Sequence, residues 1–125
     1  MKKYHRKPKF GTPEYGHSFE QFILMELKAY QAYRDPELEI RYWRTSTGFE
    51  VDFILNEMSV AIEVKVSNKI YPNHLKGLRV LLGEHKVRRS IVVCHEERPR
   101  QVDPNIEILP WKNFLEVLWT GNFLI

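Results

Sequence analysis

The sequence has one cysteine, Cys94, and no long apolar run. A single cysteine excludes an intrachain disulfide and a cysteine-based zinc site, which favours a reducing cytoplasm. No apolar stretch approaches the roughly 18 residues of a membrane span, and no secretory signal follows the basic start. The five histidines show no metal-ligand spacing. The chain of 125 residues is therefore expected to be a cytoplasmic globular protein, not a membrane protein.

Positive charge is scarce beyond the first residues. The chain has 19 Lys and Arg against 16 Asp and Glu, a net charge of +3. Five of these 19 basic residues lie in the first nine positions, so 14 remain against 16 acids in the rest of the chain. The five are Lys2, Lys3, Arg6, Lys7 and Lys9. We predict a basic arm over residues 1–15, which could contact nucleic-acid phosphates or be a solvated linker, followed by one domain over residues 16–125.

Two stretches near the middle of the chain alternate apolar and polar residues with the period of a β-strand. The apolar positions are Phe49, Val51, Phe53 and Leu55, then Val60, Ile62, Val64 and Val66. The short link over residues 56–59 predicts an antiparallel hairpin in which Leu55 faces Val60. In that register Asp52 lies opposite Glu63, and the apolar faces of the two strands coincide.

Opposed carboxylates at Asp52 and Glu63 would repel each other, because directly paired Cβ atoms are roughly 5 Å apart. A divalent cation between them would relieve this repulsion, and Lys65 follows on the same face. We predict that both acids bind Mg²⁺ or Mn²⁺, with the carbonyl of Val64 as an extra ligand and Glu50 as a further ligand or a base. The alternative is a solvated sheet face carrying ordinary charges.

The remaining patterns predict an α/β fold with a mixed sheet. A capping box at Ser18 and Gln21 predicts the start of a first helix, with Glu20 on the flank of its apolar stripe. The continuous apolar run over residues 90–94 predicts a buried strand parallel to the Glu63 strand, because a helix connects the two. The predicted segments are a helix from 18 to about 34, strands at 38–45, 49–55 and 60–67, a helix at 75–84, strands at 90–94 and 106–109, and a last helix from 110. A loop is predicted at 95–104.

Glu20 in the first helix, Asp52 in the second strand, and Glu63 with Lys65 in the third resemble the PD-(D/E)XK, or restriction-endonuclease-like, nuclease superfamily. The core of that superfamily has the same order, α-β-β-β-α-β, followed here by a short strand and a C-terminal helix. More narrowly, the chain is similar to the nuclease-like domain at the C-terminus of many prokaryotic AAA-type ATPases. That similarity rests on Phe19-Glu20, Tyr42-Trp43-Arg44, residues 48–54 and 61–65, Leu109-Pro110-Trp111 and Leu118-Trp119.

The resemblance implies metal ligation by Asp52 and Glu63, a catalytic role for Lys65, and an auxiliary acid at Glu20. It implies a Mg²⁺-dependent endonuclease acting on DNA, and a homodimer where both strands are cut. Val51 replaces the proline of the superfamily motif, and the chain has no P-loop, so it is expected to be a stand-alone copy or a fragment. Two alternatives stay open, namely an inactive interaction domain for an AAA-type ATPase and a nucleic-acid-binding module.

Overall fold

A computed structural model of the chain describes residues 12–102, 105–120 and 123. These residues form a six-stranded sheet in the order β1-β2-β3-β4-β6-β5, with one helix before the first strand and another after the last. The elements are α1 (Pro13–Tyr33), β1 (Ile40–Arg44), β2 (Glu50–Leu55), β3 (Val60–Val64), a 3-10 helix (Pro72–Leu75), α2 (Lys76–Glu84), β4 (Arg89–Cys94), β5 (Arg100–Val102), β6 (Ile106–Pro110) and α3 (Trp111–Trp119). The mixed α/β fold predicted from the sequence is therefore confirmed.

The sheet is covered on both faces. Helices α1 and α3 pack on one face, where Ile23 and Phe114 are fully buried, and α2 packs on the other through Leu78 and Leu81. Strands β3, β4 and β6 run parallel in the middle of the sheet. Burial on both faces explains the continuous apolar run of β4, and its predicted parallel pairing with β3 is confirmed.

Helix α1 begins at Pro13, so the predicted start at Ser18 was wrong. The Thr12 hydroxyl accepts a hydrogen bond from the backbone N–H of Tyr15 at 3.2 Å, which caps the first turn. Pro13 occupies the first helical position, where a missing N–H costs nothing. No helix among the described residues is long and apolar enough to cross a membrane.

Strand β5 replaces part of the predicted loop at 95–104. It pairs antiparallel with β6 at the edge of the sheet, with Arg100 opposite Ile108 and Val102 opposite Ile106. The prediction was wrong here because a short, charged edge strand has a composition close to that of a loop.

The register of the β2–β3 hairpin is the one predicted from its loop length. Phe53 pairs with Ile62, and Leu55 pairs with Val60. Residues of the regular hairpin alternate between the two faces, so Phe53 and Ile62 pack on the α1 side whereas Ile54 packs on the α2 side.

Strand β2 contains a β-bulge that the sequence did not predict. Arg41 of β1 lies opposite Ile54, but Trp43 lies opposite Val51, so three steps along β2 match two along β1. The bulge turns Val51 toward α2, while Phe53 packs on the α1 side. The prediction that Val51 and Phe53 share one face was therefore wrong.

Candidate active site

The hairpin ladder between β2 and β3 reaches Phe53 and Ile62, and the next two residues are Asp52 and Glu63. Here carboxylates bond to the backbone of the opposite strand. The Asp52 N–H donates to Oε1 of Glu63 at 3.3 Å, and the Val64 N–H donates to Oδ2 of Asp52 at 2.8 Å. Each carboxylate thus accepts a backbone N–H from the partner strand, which fixes the two acids side by side.

Lys65 supplies the positive charge nearest to Glu63. Its Nζ lies 3.2 Å from Oε2 of Glu63. The Lys65 backbone N–H donates to the carbonyl of Val93 at 2.9 Å, so the pairing of β3 with β4 continues beyond the last residue of β3. Lys65 is therefore held by the sheet next to the acid that its ammonium group contacts.

Glu20 of α1 and Glu50 of β2 line one cleft of about 320 Å³ together with Asp52. Glu50 is exposed and pairs with Arg44 across the β1–β2 ladder, at 3.4 Å. Among the described side chains of the site there are thus four acids, Glu20, Glu50, Asp52 and Glu63, and two basic groups, Lys65 and Arg44. With all four acids ionised, two negative charges are left over, the charge that one divalent cation would balance.

Burial raises the pKa of the carboxyl groups of Glu20, Asp52 and Glu63. Burial first, and then the charge of Asp52, raise the pKa of Glu63 to about 8, against the opposing effect of Lys65. Burial also raises the pKa of Asp52, although the Val64 N–H lowers it. The pKa of Glu20 is raised by burial and by Asp52. A cation bound here would favour the ionised form of every one of these groups.

The donor set fits a magnesium ion held by few protein ligands. In the described part of the chain no three His, Cys, Asp or Glu side chains group closely enough to form a metal cage. Mg²⁺ is commonly held by one or two carboxylates with water and substrate oxygens, which is the chemistry that Asp52 and Glu63 offer. Val64 lies between Glu63 and Lys65 in the sequence, and its backbone carbonyl stays a predicted metal ligand.

The predicted site residues are thus brought together in part. Asp52, Glu63 and Lys65 are in direct contact or linked by hydrogen bonds, and Glu20 faces Asp52 across the cleft. Glu50 lies at the rim with its carboxylate toward Arg44. The five basic residues of the arm lie outside the described residues, namely Lys2, Lys3, Arg6, Lys7 and Lys9.

Two side chains of the cleft, Tyr42 and Arg44, carried no predicted role. Both line it beside the acids, and Arg44 is paired with Glu50 in the β1–β2 ladder. The sequence could have predicted the pairing of Arg44 with Glu50, because the short turn between residue 44 and residue 50 sets it.

The fold and the site define a mixed α/β domain with two adjacent carboxylates and a lysine where the β2–β3 ladder stops. The chain belongs to the DUF4143 family, a domain of unknown function, whose sequence model matches residues 15–114. This domain is typically found with AAA ATPases. No curated protein and no solved structure was found to match the chain. The matched range includes Glu20, Asp52, Glu63 and Lys65.

Proposed function

We propose that the domain is a cytoplasmic, Mg²⁺-dependent endonuclease of the PD-(D/E)XK type that hydrolyses phosphodiester bonds in DNA. One observation carries the proposal: Asp52 and Glu63 exchange carboxylate–backbone hydrogen bonds where the β2–β3 ladder stops, with Lys65 on Glu63. The order of elements supports it, since α1, three antiparallel strands, α2 and β4 follow one another as in the superfamily core.

Each side chain has a task in this chemistry. Asp52 and Glu63 would hold the cation, and the Val64 N–H keeps one oxygen of Asp52 fixed while doing so. When bound, Mg²⁺ or Mn²⁺ supplies a Lewis acid and lowers the pKa of coordinated water. Lys65 neutralises negative charge that develops on the phosphate oxygens, and Glu20 accepts a hydrogen bond from water in the cleft.

Cleavage assays with the full chain test the proposal. Labelled duplex, branched and single-stranded DNA are incubated with Mg²⁺, Mn²⁺ or EDTA. We expect metal-dependent cleavage that Asp52→Asn and Glu63→Gln abolish, and that Lys65→Ala lowers by about a hundredfold or more. Glu57→Gln is the matched control, because Glu57 is an exposed acid in the loop at the other end of the hairpin.

Two results would defeat the nuclease assignment. The first is wild-type protein that binds DNA but cuts none of the substrates with either metal. The second is cleavage that survives in Asp52→Asn at the wild-type rate. Circular dichroism of each variant separates loss of chemistry from loss of folding.

A second candidate function is an interaction domain for an AAA ATPase. The association of the family with such ATPases favours it, as does an aromatic cleft of about 330 Å³. The cleft is lined by Tyr15, Ser18, Phe19, Phe22, His95 and Trp111. Calorimetric titration with Mg²⁺ discriminates the two functions, since a binding signal that disappears in Glu63→Gln is expected of the nuclease and not of an interaction domain.

A further inference from the structure

Arg44 lies beside the acids of the candidate site, at the end of the edge strand β1. It lines the same cleft as Glu20, Glu50 and Asp52, and among the described residues that line this cleft it is the one cation. Its side chain is 62% exposed. The three acids of the cleft would repel an entering polyanion, and the Arg44 guanidinium beside them would attract it.

Two neighbours orient the guanidinium. Its carbon lies 5.7 Å from the centre of the Tyr42 ring, and one of its nitrogens lies 3.4 Å from Oε1 of Glu50. The pair with Glu50 is weak, because both partners are more than half exposed to water. Arg44 is therefore oriented toward the cleft while most of its five N–H donors stay available.

We propose that Arg44 binds a backbone phosphate of the nucleic-acid substrate beside the Asp52–Glu63 site, and that Tyr42 positions its guanidinium, whereas Glu50 occupies it until the phosphate arrives. The proposal rests on the proposed function and adds a substrate-binding residue to it. A planar guanidinium can bind two phosphate oxygens at once, which a lysine cannot do. Glu50 then acts as an exchangeable partner that the phosphate displaces, and it is not a metal ligand.

This role and the predicted metal-ligand role of Glu50 give opposite expectations for Glu50→Gln. If Glu50 only occupies Arg44, removing its charge should tighten DNA binding by about two- to fivefold, the scale of an exposed ion pair. Mg²⁺ affinity should then stay unchanged. If Glu50 ligates the metal, the same variant should lose Mg²⁺ affinity.

Arg41 of β1 and Glu39, the residue just before β1, offer a matched control pair. Their side chains are 64% and 50% exposed and form an ion pair at 3.1 Å, close to the 62% and 58% of Arg44 and Glu50. Neither lines the cleft of Glu20 and the other acids. A general effect of surface charge should therefore be equal at the two arginines.

Fluorescence anisotropy of the full chain with labelled single-stranded and duplex DNA in Ca²⁺ tests the proposal over a series of salt concentrations. We expect Arg44→Ala to weaken binding roughly tenfold and to lower the salt slope by about one, whereas Arg41→Ala stays within about twofold. Arg44→Lys should recover only part of the affinity, because lysine contacts phosphate as a point charge. Glu50→Gln should tighten binding, and Glu39→Gln should not.

Equal losses in Arg41→Ala and Arg44→Ala would overturn the proposal, as would wild-type protein that does not bind DNA. Loss of Mg²⁺ affinity in Glu50→Gln would overturn the role given to Glu50. These results are separable from the nuclease test. DNA binding that depends on Arg44 without any cleavage supports the phosphate site and defeats the nuclease proposal. Cleavage by Arg44→Ala with a wild-type KM supports the nuclease proposal and defeats the phosphate site.

Discussion

Helix α2 passes so close to β2 that its second residue cannot carry a side chain. A Cβ on Gly77 would overlap the carbonyl oxygen of Glu50 and lie 3.3 Å from its carbonyl carbon. A Cβ on Gly83, in the same helix, would have no neighbour within 4 Å. We predict that Gly77→Ala destabilises the fold, whereas Gly83→Ala stabilises it.

The magnitude follows from two opposing effects. Alanine is favoured over glycine inside a helix by at most about 1 kcal/mol, and near a helix end by less. Gly83→Ala should show this gain alone. Gly77→Ala must also push two backbones apart, which costs about 1–3 kcal/mol, the typical cost of overpacking. The two variants should therefore differ by roughly 1–3 kcal/mol in unfolding free energy, or about 4–12 °C in Tm for a chain of this size.

Thermal and urea unfolding of both variants in one metal-free buffer measures this difference. Glu50 is the first residue of β2, the strand that carries Asp52, so Gly77→Ala should also disturb the candidate site. Any cleavage activity should therefore fall in Gly77→Ala and not in Gly83→Ala. Equal melting temperatures for the two variants would refute the close approach of α2 to β2. Equal cleavage would show that the site tolerates the shift.

Two further predictions concern buried carboxylates. Burial and Asp52 raise the pKa of Glu63 to about 8, so between roughly pH 4.5 and pH 8 the folded protein holds a proton that the unfolded chain releases. The metal-free protein should therefore lose a few kcal/mol of stability as the pH rises through this window, at up to about 1.4 kcal/mol per pH unit. In urea unfolding, Glu63→Gln should flatten this part of the plot of stability against pH. A wild-type stability that rises with pH in this window would contradict the prediction. Glu96 is buried, accepts the Ile70 N–H at 2.7 Å and pairs with Arg100 at 2.8 Å. Glu96→Gln should cost about 1–3 kcal/mol in the same assay at neutral pH, and no loss would show that the pair is dispensable.

The parts of the fold that were predictable are those fixed by local patterns. The β2–β3 register followed from apolar alternation and a short loop, and that register is sufficient to place Asp52 next to Glu63. The start of α1 was missed because two capping patterns compete, Thr12 before Pro13 and Ser18 with its capping box. The earlier pattern is the one used, and the Gly16 N–H donates a hydrogen bond to the Thr12 carbonyl at 3.1 Å inside the helix.

The direction of the side chains in β2 depends on packing that no local pattern records. In a regular strand Val51 and Phe53 would face the same side, and Asp52 would point with Ile54 into the apolar layer under α2. Val51 and Phe53 are both buried, but in opposite layers, and only an extra residue between them allows this. The bulge therefore places Asp52 where it lines the cleft and still accepts the Val64 N–H from β3. Bulges are common beside active sites for this reason, since they redirect one side chain without breaking the sheet.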